Sequence, residues 1–185
     1  MYVLRGDIDP ERIRVKKPQN MGIKQVFNVF YDTGSREDDM VVQTPRMFIP
    51  YSTYTTVRND RNTTEFQFDC CGDAFVGRME VVRDRVLSRV QNACGHLLKG
   101  KTHLDRIIEK PFGRVFRCNI PDVSDVRTFD QHGRAIGLES IRSQRKVQLI
   151  LHIRWFWVSQ SYYGLDYHVL QVMVDVPTHL SCSHP

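Results

Sequence analysis

Paired cysteines, long apolar runs and the usual catalytic signatures are all missing from this 185-residue chain, and lysine is scarce. The five cysteines, Cys70, Cys71, Cys94, Cys118 and Cys182, form no C-x-x-C pair, and the close Cys/His pairings, Cys94 with His96 and Cys182 with His184, are single-residue spacings. Structural zinc sites are built on closely spaced cysteine pairs of the C-x-x-C kind, which this chain lacks, so no metal or other cofactor is expected and the thiols read as free, in a reducing compartment. Residues 1–17 contain no apolar core of a signal peptide, and no run approaches the length of a membrane span. The reading is an intracellular protein with no membrane partner. Walker, G-x-G-x-x-G and H-E-x-x-H motifs are absent, and the seven histidines are scattered. Without a motif that supplies catalytic geometry, the chain is expected not to be an enzyme.

What is present is arginine. Of 26 basic residues 19 are Arg and only seven Lys, with a formal charge of +5. Arg can fork onto phosphate and stack on a base, whereas Lys acts as a point charge, so the balance suits a polyanion.

The most informative stretch is Arg145–Asp175, which reads as two long strands joined at Ser159-Gln160-Ser161. Val147, Leu149, Leu151, Ile153, Trp155 and Trp157 form a period-2 row, which places both tryptophans in the core. The alternate row offers His152, Arg154 and Phe156 outward. A second strand follows through Tyr162, Tyr163, Leu165, Tyr167, Val169, Gln171 and Met173. Cations among exposed aromatics suit single-stranded nucleic acid, although a plain barrel hairpin has the same local pattern.

Upstream, residues 1–22 read as a basic, loosely ordered N-terminal arm with one possible short strand or helix, 23–176 as one domain, and 177–185 as a C-terminal tail. Ile23–Tyr31 reads as a strand closed by an Asp32–Ser35 turn. Met40–Tyr51 is β-prone, but Pro45 and Pro50 each remove a ladder donor, so an edge strand or a broken strand is expected. A second copy of the chain is one way to cover that edge, which makes a homodimer an expectation. Residues 57–64 read as a polar loop, Glu65–Cys71 as a strand, and Ala74–Leu98 as a helix. Asp73 is its expected N-cap, and Met79, Val82, Val86, Val90, Ala93 and Leu97 form its buried stripe. The helix's Arg78, Arg85 and Arg89 read as a solvated face. Strands are also expected at Arg114–Ile120 and Val126–Phe129, and a polar loop at Leu138–Gln144. Short strands around a single helix describe a mainly β (α+β) Greek-key barrel with one long amphipathic helix inserted.

Three stretches, 41–54 with Gln43-Thr44-Pro45, 65–98, and 155–174 with Trp155-Phe156, Gly164 and Leu170-Gln171-Val172, resemble the phage-type single-stranded-DNA-binding proteins of nucleocytoplasmic large DNA viruses. The resemblance implies an OB-fold barrel that binds single-stranded DNA without strong sequence preference, in viral DNA replication and recombination. It also implies replication-protein partners and a place in the nucleus or a cytoplasmic viral factory of an infected cell. The acidic tail of the phage prototypes has no counterpart after Asp175. The expected DNA face joins the hairpin to residues 43–54. Phe156, Tyr162, Tyr163, Tyr51 and Tyr54 are its aromatics, and Arg46, Arg58, Arg61, Lys146, His152 and Arg154 its polar contacts. The rival reading is a viral scaffolding protein that uses the same face for protein contacts.

Overall fold

A computed structural model describes residues 3–4, 8–50, 54–58, 61–69, 73–111, 113–121, 126–141 and 143–176, with the backbone path alone for 54–58 and 61–69. Its strands are β1 Val3–Leu4, β2 Ile13–Val15, β3 Gln19–Met21, β4 Lys24–Asp32, β5 Glu37–Asp39, β6 Val41–Gln43 and β7 Met47–Phe48. Then come β8 Tyr54–Arg58, β9 Arg61–Asp69, the helix α1 Asp73–Cys94, β10 Thr102–His103, β11 Ile107–Lys110, β12 Gly113–Pro121 and β13 Arg127–Asp130. The chain closes with β14 Lys146–Val158 and β15 Tyr162–Val174.

The architecture is α+β and OB-like: a curled half-barrel sheet, a smaller sheet and one long helix. Strand β14 is its spine. One edge pairs antiparallel with β15, and the other meets β7, β6 and β4 in turn. A four-stranded antiparallel sheet, in the order β11-β12-β9-β8, packs against it through Phe116, whose ring meets Tyr167 edge-on at 5.2 Å. Helix α1 covers the core with Phe75, Val76, Met79, Val82, Val86 and Val90, each at most 1% exposed. The expected stripe therefore holds from Met79 to Val90, breaks at Ala93, and resumes with Leu97, partly buried against the core. The α-helix ends at Cys94, a short 3-10 turn takes over at Gly95–Leu98, and Ala93 is exposed.

The Pro-interrupted segment behaves as a broken strand. β6 and β7 both pair with β14, and the gap between them is bridged by Thr44. Its amide donates to Leu149 O at 3.0 Å, and its hydroxyl accepts from Leu149 N at 2.9 Å. A side-chain oxygen here does the work of a ladder carbonyl just before Pro45 removes a donor.

Three expectations change. Within the N-terminal segment read as a loose arm, β2 and β3 pair with β4 and Ile13 is fully buried, because a three-residue strand needs a partner rather than a sustained period of its own. The polar stretch 57–64 is largely β8 and β9 rather than loop. Likewise the helix arginines do not form a free solvated face: Arg85 pairs with Glu11 and donates to Pro10 O at 3.1 Å, and Arg89 leans toward Glu11 O.

Asp130, at the end of β13, is 4% exposed and fully engaged. It accepts from the amides of His132 and Arg134 at 2.9 Å and from Arg134 Nε at 2.7 Å. Burial pushes its carboxyl up, but the Arg134 amide and guanidinium and the His132 amide outweigh it, and the net shift is downward. A depressed pKa means stability that is present above the usual carboxylate range and lost as pH falls through the folded value. Asp130→Asn is therefore expected to lower Tm at pH 7 and to flatten the acid limb below about pH 4. Thermal unfolding of both proteins between pH 2.5 and 7 checks it.

Candidate nucleic-acid interface

The faces of the β14–β15 hairpin are set by two bulges. Opposite one another in the ladder are Ile153 with Tyr167 and then Trp155 with Asp166, so Arg154 is an extra residue in β14. Further along, Ile150 meets Gln171 while Leu151 meets Val169, so Leu170 is an extra residue in β15. Each inserted residue reverses the in–out phase of everything beyond it. In β14 the buried set runs Val147, Leu149, Leu151, Ile153 and then Phe156 and Val158. In β15 it runs Leu165, Tyr167, Val169 and then Val172 and Val174.

The expected aromatic face is therefore inverted. Phe156 is 1% exposed and packs edge-on against Phe27 at 6.0 Å, so it offers no platform. Tyr163 belongs to the inner row, half-buried against the Phe156 ring at 5.8 Å and the His103 ring at 5.3 Å. Trp155 and Trp157, expected in the core, are half-buried on the outer face. Tyr162 is exposed, at 46%, as the pattern suggested.

Trp155, Trp157 and Tyr162 line an open cleft of about 840 Å³. Its floor is the hairpin, with Trp155, Trp157 and Tyr162. One wall carries Lys24 and Ile23 at the start of β4, and the other carries Leu104, Asp105 and Arg106 on the segment after β10. The cations touch the indoles directly: Arg154 lies over the Trp155 ring at 4.0 Å, and the Lys24 ammonium over Trp157 at 4.8 Å. Trp157 stands across the ladder from Gly164, where an added Cβ would come within 2.8 Å of Leu104 O. Glycine at that position lets the second wall cross close above β15. That wall is fastened by Leu104 N to Tyr163 O at 2.8 Å and by the Arg83–Asp105 pair. Lys101 Nζ, bonded to the carbonyls of Ser159 at 2.6 Å and Gln160 at 3.0 Å, fixes the hairpin turn beside it.

Of the remaining expected site residues, Lys146, Arg46 and His152 do not converge on the cleft. Lys146 is exposed at the opposite end of β14, about 35 Å of strand contour from Trp157 at roughly 3.3 Å per residue. Arg46 lies at that same far end, paired with Asp175 at 3.4 Å. His152 is half-buried, 3.8 Å from Asp39, and burial holds its pKa below the usual value, leaving it neutral at pH 7. Tyr54, Arg58 and Arg61 lie on β8 and β9, whose side chains are outside the described set, as is Tyr51 altogether. Lys24 and Arg106 were missed. Lys24 begins β4 beside the exposed Ile23, and nothing local ties either cation to the hairpin.

Among the described residues no three His, Cys, Asp or Glu side chains cluster as metal ligands, and no helix is long and apolar enough to cross a membrane. Fold and cleft define a class: an OB-like α+β protein with an aromatic groove edged by cations. No family model matches the chain, and no curated protein matches it.

Proposed function

We propose that this protein binds single-stranded DNA without sequence preference, in the cleft floored by Trp155, Trp157 and Tyr162. The observation that carries the reading is the pairing of each outward indole with its own cation, Arg154 on Trp155 and Lys24 on Trp157. Base faces stack on such rings whatever their identity, and the neighbouring cations meet the backbone. Asp166, across from Trp155, disfavours phosphate on the β15 side and directs the backbone toward Lys24 and Arg154. The resemblance of the hairpin and the 41–54 segment to viral single-stranded-DNA-binding proteins supports a role in viral DNA replication and recombination.

A titration of fluorescent oligo-dT across several salt concentrations tests the reading, with a duplex of equal length beside it. Retention should fall steeply with salt, and the duplex should bind more weakly. Equal affinity for duplex, or none at low salt, sinks it. Arg154→Ala is expected to lower affinity and to reduce the magnitude of the salt slope by about 0.7, with Tm unchanged because the side chain is exposed.

A second reading rests on the cleft rim. Ile23 is 91% exposed and Met21 and Leu104 over 40%, apolar groups that suit a protein partner better than a phosphate backbone. Under it, the oligonucleotide titration fails while Ile23→Asp abolishes self-association or partner capture.

A further inference from the structure

A second cavity, of about 290 Å³, lies between the end of β2, the middle of β4 and the last turns of α1. Its walls are apolar, with Phe27, Val90 and Cys94 facing in, and its rim is cationic, with Arg89 and Lys17. Arg89 is the unusual group. Its Nε is buried with no hydrogen-bond partner, and Nη2 reaches only a 3.5 Å contact with Glu11 O. The acid nearby, Glu11, is already used by Arg85. Lys16, also at the rim, is committed to Glu37 at 3.1 Å and to the Phe30 ring. Burial and the like charges of Arg85 and Arg14 push the Arg89 pKa down, the mark of a cation lacking compensation. A buried N–H with no acceptor is costly, and a carboxylate at this position would satisfy both the donor and the charge.

We propose that this cavity binds a small amphiphilic monoanion, an alkyl or aryl carboxylate. Its apolar body would lie between Phe27, Val90 and Cys94, and its head at Arg89 and Lys17. At roughly 30 Å³ per water-sized group, the space holds about ten non-hydrogen atoms, the size of octanoate. The lining offers few hydrogen-bonding partners, which disfavours a nucleobase and favours a hydrocarbon.

Octanoate titrated into the full chain, followed by methyl NMR, should give saturable shifts at Val15 and Val90. Octan-1-ol should bind at least about tenfold more weakly, since it lacks the charge-assisted bond to Arg89. Arg89→Gln should weaken octanoate by about the same factor, and Ala93→Trp, which fills the mouth from an exposed position, should abolish the shifts; circular dichroism verifies that both variants fold. Non-saturating shifts, equal affinity for the alcohol, or wild-type binding by both variants overturn the proposal. So does binding to phosphatidylglycerol vesicles without any octanoate response, which would assign the cations to a lipid surface instead.

Discussion

Replacing Phe156 by alanine is expected to destabilise the protein by about 3–5 kcal/mol, and replacing either neighbouring tryptophan by far less. Phe156 is 1% exposed and contacts both Phe27 and Tyr163, so its removal leaves a cavity in addition to losing transfer free energy. The edge-on pair with Phe27 adds about 0.5–1.5 kcal/mol beyond area burial. Trp155 and Trp157 are half-buried and line the open cleft, so truncation there leaves no closed cavity in the core. Urea denaturation decides the matter: the midpoint should drop sharply for Phe156→Ala at an unchanged m-value. An unbroken alternation along β14 predicts the reverse ranking, with the tryptophan variants crippled and Phe156→Ala nearly silent. The measurement thus tests the Arg154 bulge itself, through the energetics of residues on either side of it.

That bulge marks where the sequence is legible and where it is not. The period-2 row from Val147 to Ile153 is core, as counting alone indicates, and the helical stripe from Met79 to Val90 is buried. Both follow from periodicity, which a core imposes on every strand or helix that borders it. The break in strand at Pro45 is equally readable, because proline lacks the donor a ladder needs. Arg154 and Leu170 carry no such mark. Neither is glycine or proline, and an inserted residue is visible only once its partner strand is known. Counting through Arg154 therefore assigns Trp155 and Trp157 to the wrong face, and counting through Leu170 does the same to Val172 and Val174. The same limit hides the far-end pair Arg46–Asp175 and the cleft cations Lys24 and Arg106, since charge placement across 100 residues is a property of topology. Short strands such as β2 and β3 have too few residues to show any period, so the N-terminal sequence signals one possible short element and not the pairing with β4.

Trp155→Ala and Trp157→Ala are each expected to weaken oligo-dT binding by about 1–3 kcal/mol, a loss of roughly 5- to 150-fold in affinity. The two rings stand two residues apart on one face and share the cleft, so the double variant should depart from additivity. What separates stacking from electrostatics is the salt dependence. An indole releases no counterion, so both tryptophan variants should shift log K downward at every salt concentration while keeping the wild-type slope. Lys24→Ala should instead flatten the slope by about 0.7, although it also uncovers the Trp157 ring. Trp→Phe at either position keeps a π face and should retain most of the affinity. If the tryptophan variants bind as tightly as wild type while the cation variants do not, the backbone is held in the cleft but the bases are not. The stacking platforms then lie elsewhere, and Tyr162 at the hairpin turn, exposed beside Lys101 and the cleft floor, is the next ring to replace. If they bind less tightly with a flattened slope, the indoles act by placing Arg154 and Lys24 rather than by stacking, and the cations carry the affinity.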